Sequence, residues 1–286
     1  MRKLGKQDDA VVGIIVAVLL IGLTVAVIAM IKTVYLPIWI EQSEAAHMEE
    51  VSNQFIQLKY ALDIQSLVEQ KTAVSSPITL GNKEIPFFGL GRTFDSLEIL
   101  SHSCNISIQN ATQNATGEVF SFSVGTIKYS SGNSYFVNQN YIYEAGAVIL
   151  SQPPDDMLIG KPSFVVTNYT DLSFTIVNIS VAKGKTFVSG YGTYPLRSEY
   201  VASNNIGLVN NVTNITVKTS YPNSWYIAFN STLARSDCGL DYEIKKEDET
   251  VVVNFDPDNN GYPDVENHLY LKVVEIFTQV TPGWVE

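Results

Sequence analysis

The sequence predicts an α+β protein, one long N-terminal helix followed by a β-rich antiparallel sheet or sandwich. Three observations carry this reading. Ala10 to Ile31 is an apolar run without a charge. Residues 41–72 hold one apolar stripe at helical spacing. From about residue 73 the apolar runs are short and separated by Gly, Pro, Asn and Ser, the texture of strands and turns.

The first run, AVVGIIVAVLLIGLTVAVIAMI, has 22 residues with Thr24 as its one polar side chain. At about 1.5 Å per residue it spans some 33 Å, enough to cross hydrocarbon. A buried helix of a soluble protein would rarely stay charge-free for so long. Arg2, Lys3 and Lys6 precede it; Lys32 and then Glu41, Glu44, Glu49 and Glu50 follow. The positive-inside rule therefore places residues 1–9 in the cytoplasm as a basic leader and the chain beyond the span outside. Ordinary signal cleavage after Ala29 conflicts with the length of the run. Gly13 and Ala17 are four apart, as are Gly22 and Ala26, a spacing that lets helix backbones approach closely. Membrane helices are also rich in Gly and Ala for no such reason, and both readings stand.

In the segment 32–72, Met48, Val51, Phe55, Leu58 and Leu62 step by three and four and form one amphipathic stripe. Pro37, between the span and the stripe, should kink the helix or break it in two. Glu41, Glu44, Glu49 and Glu50 read as a solvated face. The stripe requires a partner, either a sheet of the same chain or neighbouring copies.

Residues 73–286 form the β-rich domain. Strands are expected at 118–131, 134–152, 162–168, 172–182, 185–193, 212–221, 240–255 and 268–280, with one helix near Ser224 to Leu233. Eight N-x-[ST] sequons begin at Asn105, Asn110, Asn114, Asn168, Asn178, Asn211, Asn214 and Asn230. In CNISI, NISV and NITV the Asn opposes buried-type Ile and Val, as an added glycan requires. Leu172, Phe174 and Ile176 share parity with Asn178, which implies a bulge near 176–177. Cys104 and Cys238 both fall on the outer side, where a disulfide is permitted; two separate buried thiols are the alternative.

Residues 256–266, DPDNNGYPDVE, resemble a calcium loop. Asp256, Asp258, Asn260, Tyr262 (through its carbonyl) and Asp264 occupy ligand positions, with Gly261 at the sharp turn and Glu266 one residue short of the closing position. An acidic Asn-Gly hairpin turn between strands 240–255 and 268–280 is the other reading. No cofactor is otherwise required.

Composition narrows the function. The 286 residues include 18 Lys and Arg against 29 Asp and Glu, a net charge of −11. An acidic chain has no basic excess to neutralise phosphates, so nucleic acid is not an expected partner. With 45% hydrophobic and 16% charged residues it is not a disordered chain. His47, His102 and His268 are scattered, no nucleophile elbow or P-loop is present, and no enzymatic activity is expected.

The order of parts resembles archaeal type IV pilin-like surface proteins. The residues that carry the likeness are the leader MRKLGK, the junction QDDAVVGIIVAV, the kink residue Pro37 and the amphipathic segment 41–72. Asp8 and Asp9 depart from the usual pattern. NQNYIYEAGAVILSQ and SYPNSWYIAFNSTL are similar in texture to surface domains of this group. The resemblance implies leader processing by a prepilin-type peptidase after Gly5 or Lys6. It also implies assembly into a surface filament through the N-terminal helix, with itself or with other pilin-like subunits. The competing expectation is a single-pass, glycosylated surface binding or adhesion protein that does not polymerise.

Overall fold

The computed structural model describes residues 6–82, 93–111, 117–181, 186–234, 239–258 and 260–280. α1 (Lys6–Met30), a π-helical turn (Ile31–Tyr35) and α2 (Leu36–Val68) follow one another without a break. Residues 11–30 are exposed throughout, and the helix is long and apolar enough to cross a membrane. The disturbance expected at Pro37 takes the form of the π turn. Proline has no N–H to donate, and its ring crowds the carbonyl four residues back. The Leu36 N–H bonds back five residues to Ile31 O, which opens the ladder just before the proline. The helix is not cut in two.

α2 lies on the β domain with its predicted stripe inward. Met48, Val51, Phe55, Leu58 and Leu62 are all 2% exposed or less. Each contributes about 2 kcal/mol relative to exposure in water. The buried face continues towards α1 through Leu36, Ile40, Glu44 and His47. The helix ends at Val68, short of the expected residue 72. Glu69 turns left-handed there (φ 55°), and its N–H caps Gln65 O.

The β domain is two curled sheets. The smaller has the order β1 (Val74–Leu80), β10 (Gly192–Asn210), β14 (His268–Val280), β8 (Asp171–Val181) and β7 (Ser163–Asn168). The larger runs β12 (Glu243–Glu247), β13 (Thr250–Asn254), β11 (Val212–Lys218), β2 (Asp95–Asn110), β3 (Val119–Ser130), β4 (Asn140–Glu144), β5 (Ala147–Gln152) and β6 (Asp155–Gly160). In addition, β9 (Phe187–Gly190) pairs with β2. The pairings are antiparallel except β14 with β8, which is parallel. The expected single strand 134–152 contains the hairpin of β4 and β5. Ala145 and Gly146 both take positive φ at its turn, which matches the twist of the flanking strands. The expected strand 240–255 is likewise the hairpin of β12 and β13. The helix near Ser224 forms as α3 (Pro222–Leu233).

Two cores share the same strands. The first lies between the sheets and against α3, and holds Ile106, Val124, Ile142, Phe174, Ile176, Leu271, Trp225 and Phe229. The second lies under α2 and holds Leu97, Ile99, Ile127, Tyr129, Tyr143, Val177, Ile179 and Ile276. The bulge expected near 176–177 does not occur, because β8 keeps an unbroken register with β14 through Ile176, Val177 and Asn178. Ile176 packs in the first core and Val177 in the second, so both faces of one strand are covered.

Candidate functional site

The seat of α2 on the β domain gathers three buried ionisable side chains, Glu44, His47 and Asp95. Glu44 stands in phase with the apolar stripe and is fully buried. Its Oε1 accepts the Ser134 N–H at 2.9 Å, and its Oε2 accepts those of Tyr135 at 2.9 Å and Phe136 at 2.7 Å. An ionised carboxylate satisfies three converging amides at once, through charge-assisted bonds. Glu44 is thus an anchor for the β3–β4 connection, not part of the expected solvated face; Glu41, Glu49 and Glu50 are exposed as expected.

One turn further, His47 Nε2 lies 3.0 Å from Asp95 Oδ2 and 3.1 Å from Tyr129 Oη, and Tyr129 donates to the same Asp95 oxygen. Asp95 also accepts the N–H groups of Gly81 at 2.6 Å and Gly132 at 2.8 Å. Burial is the largest influence on its carboxyl and pushes the pKa up. The bonds from His47, Tyr129, Gly132 and Gly81 together outweigh it and hold the group below its ordinary 3.8. Burial, and then the Asp95 charge, raise the Tyr129 hydroxyl far above its usual range. With Asp95 ionised, Nε2–H is the donor, which leaves Nδ1 as the second ring nitrogen. Gly81 is required here: it has φ 58°, and a Cβ would lie 2.2 Å from the Thr93 carbonyl oxygen.

Other polar contacts fasten the rest of the helix. Gln54 pairs with the Thr79 N–H and hydroxyl, Tyr141 Oη donates to Met48 O at 3.0 Å, and Gln65 Nε2 donates to Ser198 O at 3.1 Å. Lys272 pairs with Glu69 and donates to Ser66 O at the far end. Beside His47 the seat opens into a cleft of about 620 Å³ lined by Ser43, His47, Glu50, Thr79, Gly81, Asn82, Gly192 and Thr193.

Another buried acid, Glu144, sits in the first core beneath α3. Its Oε1 accepts from Thr219 Oγ1 at 2.7 Å and Trp225 Nε1 at 2.8 Å. Burial, the largest influence, raises its pKa against these bonds and that of Cys104. Cys104 is a free, buried thiol, pushed well up by burial and then by Glu144. The expected disulfide is not made at Cys104, whose Sγ faces the Glu144 carboxyl inside the core; Cys238 lies outside the described residues.

The expected calcium loop is organised by its own backbone. Asp256 Oδ1 accepts the Asn260 N–H and Oδ2 the Gly261 N–H, each at 2.9 Å. Asn260 Oδ1 accepts from Tyr262 N. Asn267, at the closing position, clamps Val212 through both ends of its amide. Asp258, Asp264 and Glu266 are exposed. Burial, then Asp258, Asp241 and Asp256, raise Asp264. Among the described residues no three His, Cys, Asp or Glu are grouped to hold a metal ion. The hairpin alternative also fails, since the loop carries the chain from β13 in one sheet to β14 in the other.

The predicted sequon positions differ in exposure. Asn105 and Asn230 are exposed, and Asn214 is half-buried on the outer side of β11. Asn110, Asn168 and Asn178 use their side chains internally, on Glu118 N, Asp171 and Gly125 N respectively. Asn168 nonetheless remains exposed and Asn211 is half-buried; Asn114 lies outside the described residues. On α1, a Cβ built at Gly13 or Gly22 meets nothing within 4 Å, and Ala17 and Ala26 are exposed. Lys6 begins α1, while Gly5 lies outside the described residues.

Residues 99–278 match a family of unknown function, DUF7289. The chain belongs to the DUF7289 family. The DUF7289 match begins within β2 and ends within β14, so it leaves out α1, α2 and β1, and with them the α2 side of the second core. No curated protein and no solved structure matches this DUF7289 chain.

The sequence offered one signal for the anchoring cluster. Glu44 and His47 fall on the helix face set by Ile40, Met48 and Val51, where a solvated charge does not belong. Their partners Asp95, Tyr129 and 134–136 lie 48 to 92 residues further along the chain than the helix residues they hold, and no short motif links them to the helix.

Proposed function

We propose that this protein is a pilin-like structural subunit, major or minor, of a cell-surface filament of the archaeal kind, assembling through its N-terminal helix. The observation that carries the reading is the continuous helix with two unlike halves. Residues 11–30 are bare and apolar, while α2 is bolted to the β domain. A subunit of this shape presents an apolar rod to lipid before assembly and to neighbouring rods afterwards. The open positions at Gly13, Ala17, Gly22 and Ala26 suit close helix contact. In this reading the N-terminus is cytoplasmic, the acidic β domain is extracellular and a prepilin-type peptidase removes the leader.

N-terminal sequencing of the native protein, together with mass spectrometry of sheared surface filaments, tests it. A start at residue 6 or 7 and recovery in filaments are the expected results. A start at Met1 in a protein that stays monomeric in detergent and never enters filaments would make it a single-pass surface anchor instead.

A further inference from the structure

We propose that the end of the β domain from which the helix emerges rests on the membrane, with an aromatic rim seated among the lipid head groups. The proposal rests on α1 being a membrane span, not on whether the chain polymerises.

Three turns meet at that end. β1 runs back along α2, since Gln65 reaches Thr72 while Gln54 reaches Thr79, so Gly81 returns to the level of His47 and Asp95. β2 starts there, and β9 ends there with Gly190 opposite Asp95. β3 and β4 are joined at the same end, where Ser130 lies opposite both Ser96 and Asn140. The residue before β2, the β9–β10 turn and the β3–β4 connection therefore lie on the side towards α1. They carry Phe94, Tyr191, Tyr135 and Val137, each 46% to 58% exposed. Phe94 and Tyr191 pack edge to face, with ring centroids 6.1 Å apart. Apolar residues exposed singly are ordinary, but a cluster on one end marks an interaction surface.

The height of this end above the bilayer selects lipid as its neighbour. Residues 11–30 account for about 30 Å of helix, the thickness of the hydrocarbon core. Tyr35 and Trp39 follow, one turn apart and both about half exposed, and such side chains collect at the head groups. On the inward face at the same level Leu36 and Ile40 are only 4% and 3% exposed, so protein covers the helix down to the head-group layer. Glu44, which holds the Ser134, Tyr135 and Phe136 amides, is about 8 Å beyond Trp39 along the axis. Among the described residues of the three turns there is no Lys or Arg, and Glu41 is exposed nearby. Aromatic insertion, not attraction to anionic head groups, is then the force.

The test uses the full-length chain in nanodiscs, one chain per disc, in a Cys238→Ser background. Nitroxide labels are placed at Asn138→Cys in the β3–β4 connection, at Asn204→Cys far along β10, and at Leu20→Cys in α1. Power-saturation electron paramagnetic resonance reads their collisions with a water-soluble nickel chelate. Asn138 should collide about threefold less than Asn204, as a head-group position does. Tyr135→Ser with Phe94→Ser should remove that difference, and neither salt nor anionic lipid should change it. Melting temperatures check the fold, and Tyr191→Ser replaces Phe94→Ser if the latter unfolds. Leu20 as open to the chelate as Asn204 would remove the span and the proposal with it. Leu20 shielded but Asn138 as open as Asn204 would overturn the proposal alone. So would shielding that salt abolishes, that survives the substitutions, or that appears only with several chains per disc, which would assign the surface to a second copy.

Discussion

His47 on α2 and Asp95 on β2 are 48 residues apart in the chain, yet His47 Nε2 lies 3.0 Å from Asp95 Oδ2 and joins the helix to the larger sheet. Around this pair Tyr129, Gly81 and Gly132 all direct protons at one carboxylate. The helix is therefore held by a charge as well as by its apolar stripe.

The first prediction is an acid limit set by Asp95. Its folded pKa lies below the ordinary 3.8, so the unfolded chain binds the proton more readily. The stabilisation is complete above pH 3.8 and is lost as pH falls through the folded value. Asp95→Asn should cost about 2 kcal/mol at neutral pH. It should also flatten the fall in melting temperature below pH 3.8, as read by near-ultraviolet circular dichroism across a pH series. An acid slope identical to that of the parent would remove Asp95 as its source.

Glu44 should matter in a different place. Glu44→Ala leaves the N–H groups of Ser134, Tyr135 and Phe136 without their acceptor, at a cost of about 3 kcal/mol. Hydrogen exchange locates the effect. The three amides should exchange faster in the variant, while those of α3 keep the rate that global stability sets.

Much of this fold was legible because it rests on local periodicity. Met48, Val51, Phe55, Leu58 and Leu62 gave the helix and its buried face, and all five are in the second core. The alternation of Ile106 and Ile108 with Asn105 and Ser107 likewise matched burial. What escaped was set by distant partners or by weak patterns. β10 reads as a loop, with Pro195, Gly207 and a run of Ser and Asn, yet it pairs with β1 and β14 through two register shifts. The parity of β8 suggested a bulge because the sequence carries no sign that both of its faces are covered. Glu44 and His47 were visible as residues but not as a site, since their partners come from β2, β3 and the loop after it.

Glu144 should respond to pH with the opposite sign. Burial raises its folded pKa above the ordinary 4.5, so the native state holds the proton more tightly than the unfolded chain does. The penalty is absent below pH 4.5, grows as pH rises towards the folded value and is then constant. Glu144→Gln keeps an oxygen for Thr219 and Trp225 without the charge. The variant should be more stable than the parent at neutral pH, with the difference shrinking below pH 4.5. Equilibrium denaturation at pH 4 and pH 7 measures both. A variant less stable at pH 7 would show that the charged form is preferred in place.

Cys104 should be chemically silent in the native protein. Its thiol is buried and its pKa is raised well above the ordinary 9.0, first by burial and then by Glu144, so little thiolate forms. Iodoacetamide followed by peptide mapping should find Cys104 unmodified in the folded chain and fully alkylated in denaturant without reductant. Alkylation in denaturant only after reduction would show instead that a disulfide exists.

The sequons give the last prediction. A glycan on Asn178 would be attached at Nδ2 while Oδ1 is held by the Gly125 N–H at 3.0 Å, which directs the amide into a close approach of strands. A Cβ built on Gly125 would lie 2.1 Å from Ile179 O, so there is no room beside it. Asn105 and Asn230 are exposed and carry no such constraint. Glycopeptide mass spectrometry of native protein should find occupancy at Asn105 and Asn230 and none at Asn178. A glycan at Asn178 would require β3 and β8 to separate there, and would count against the packing of those two strands.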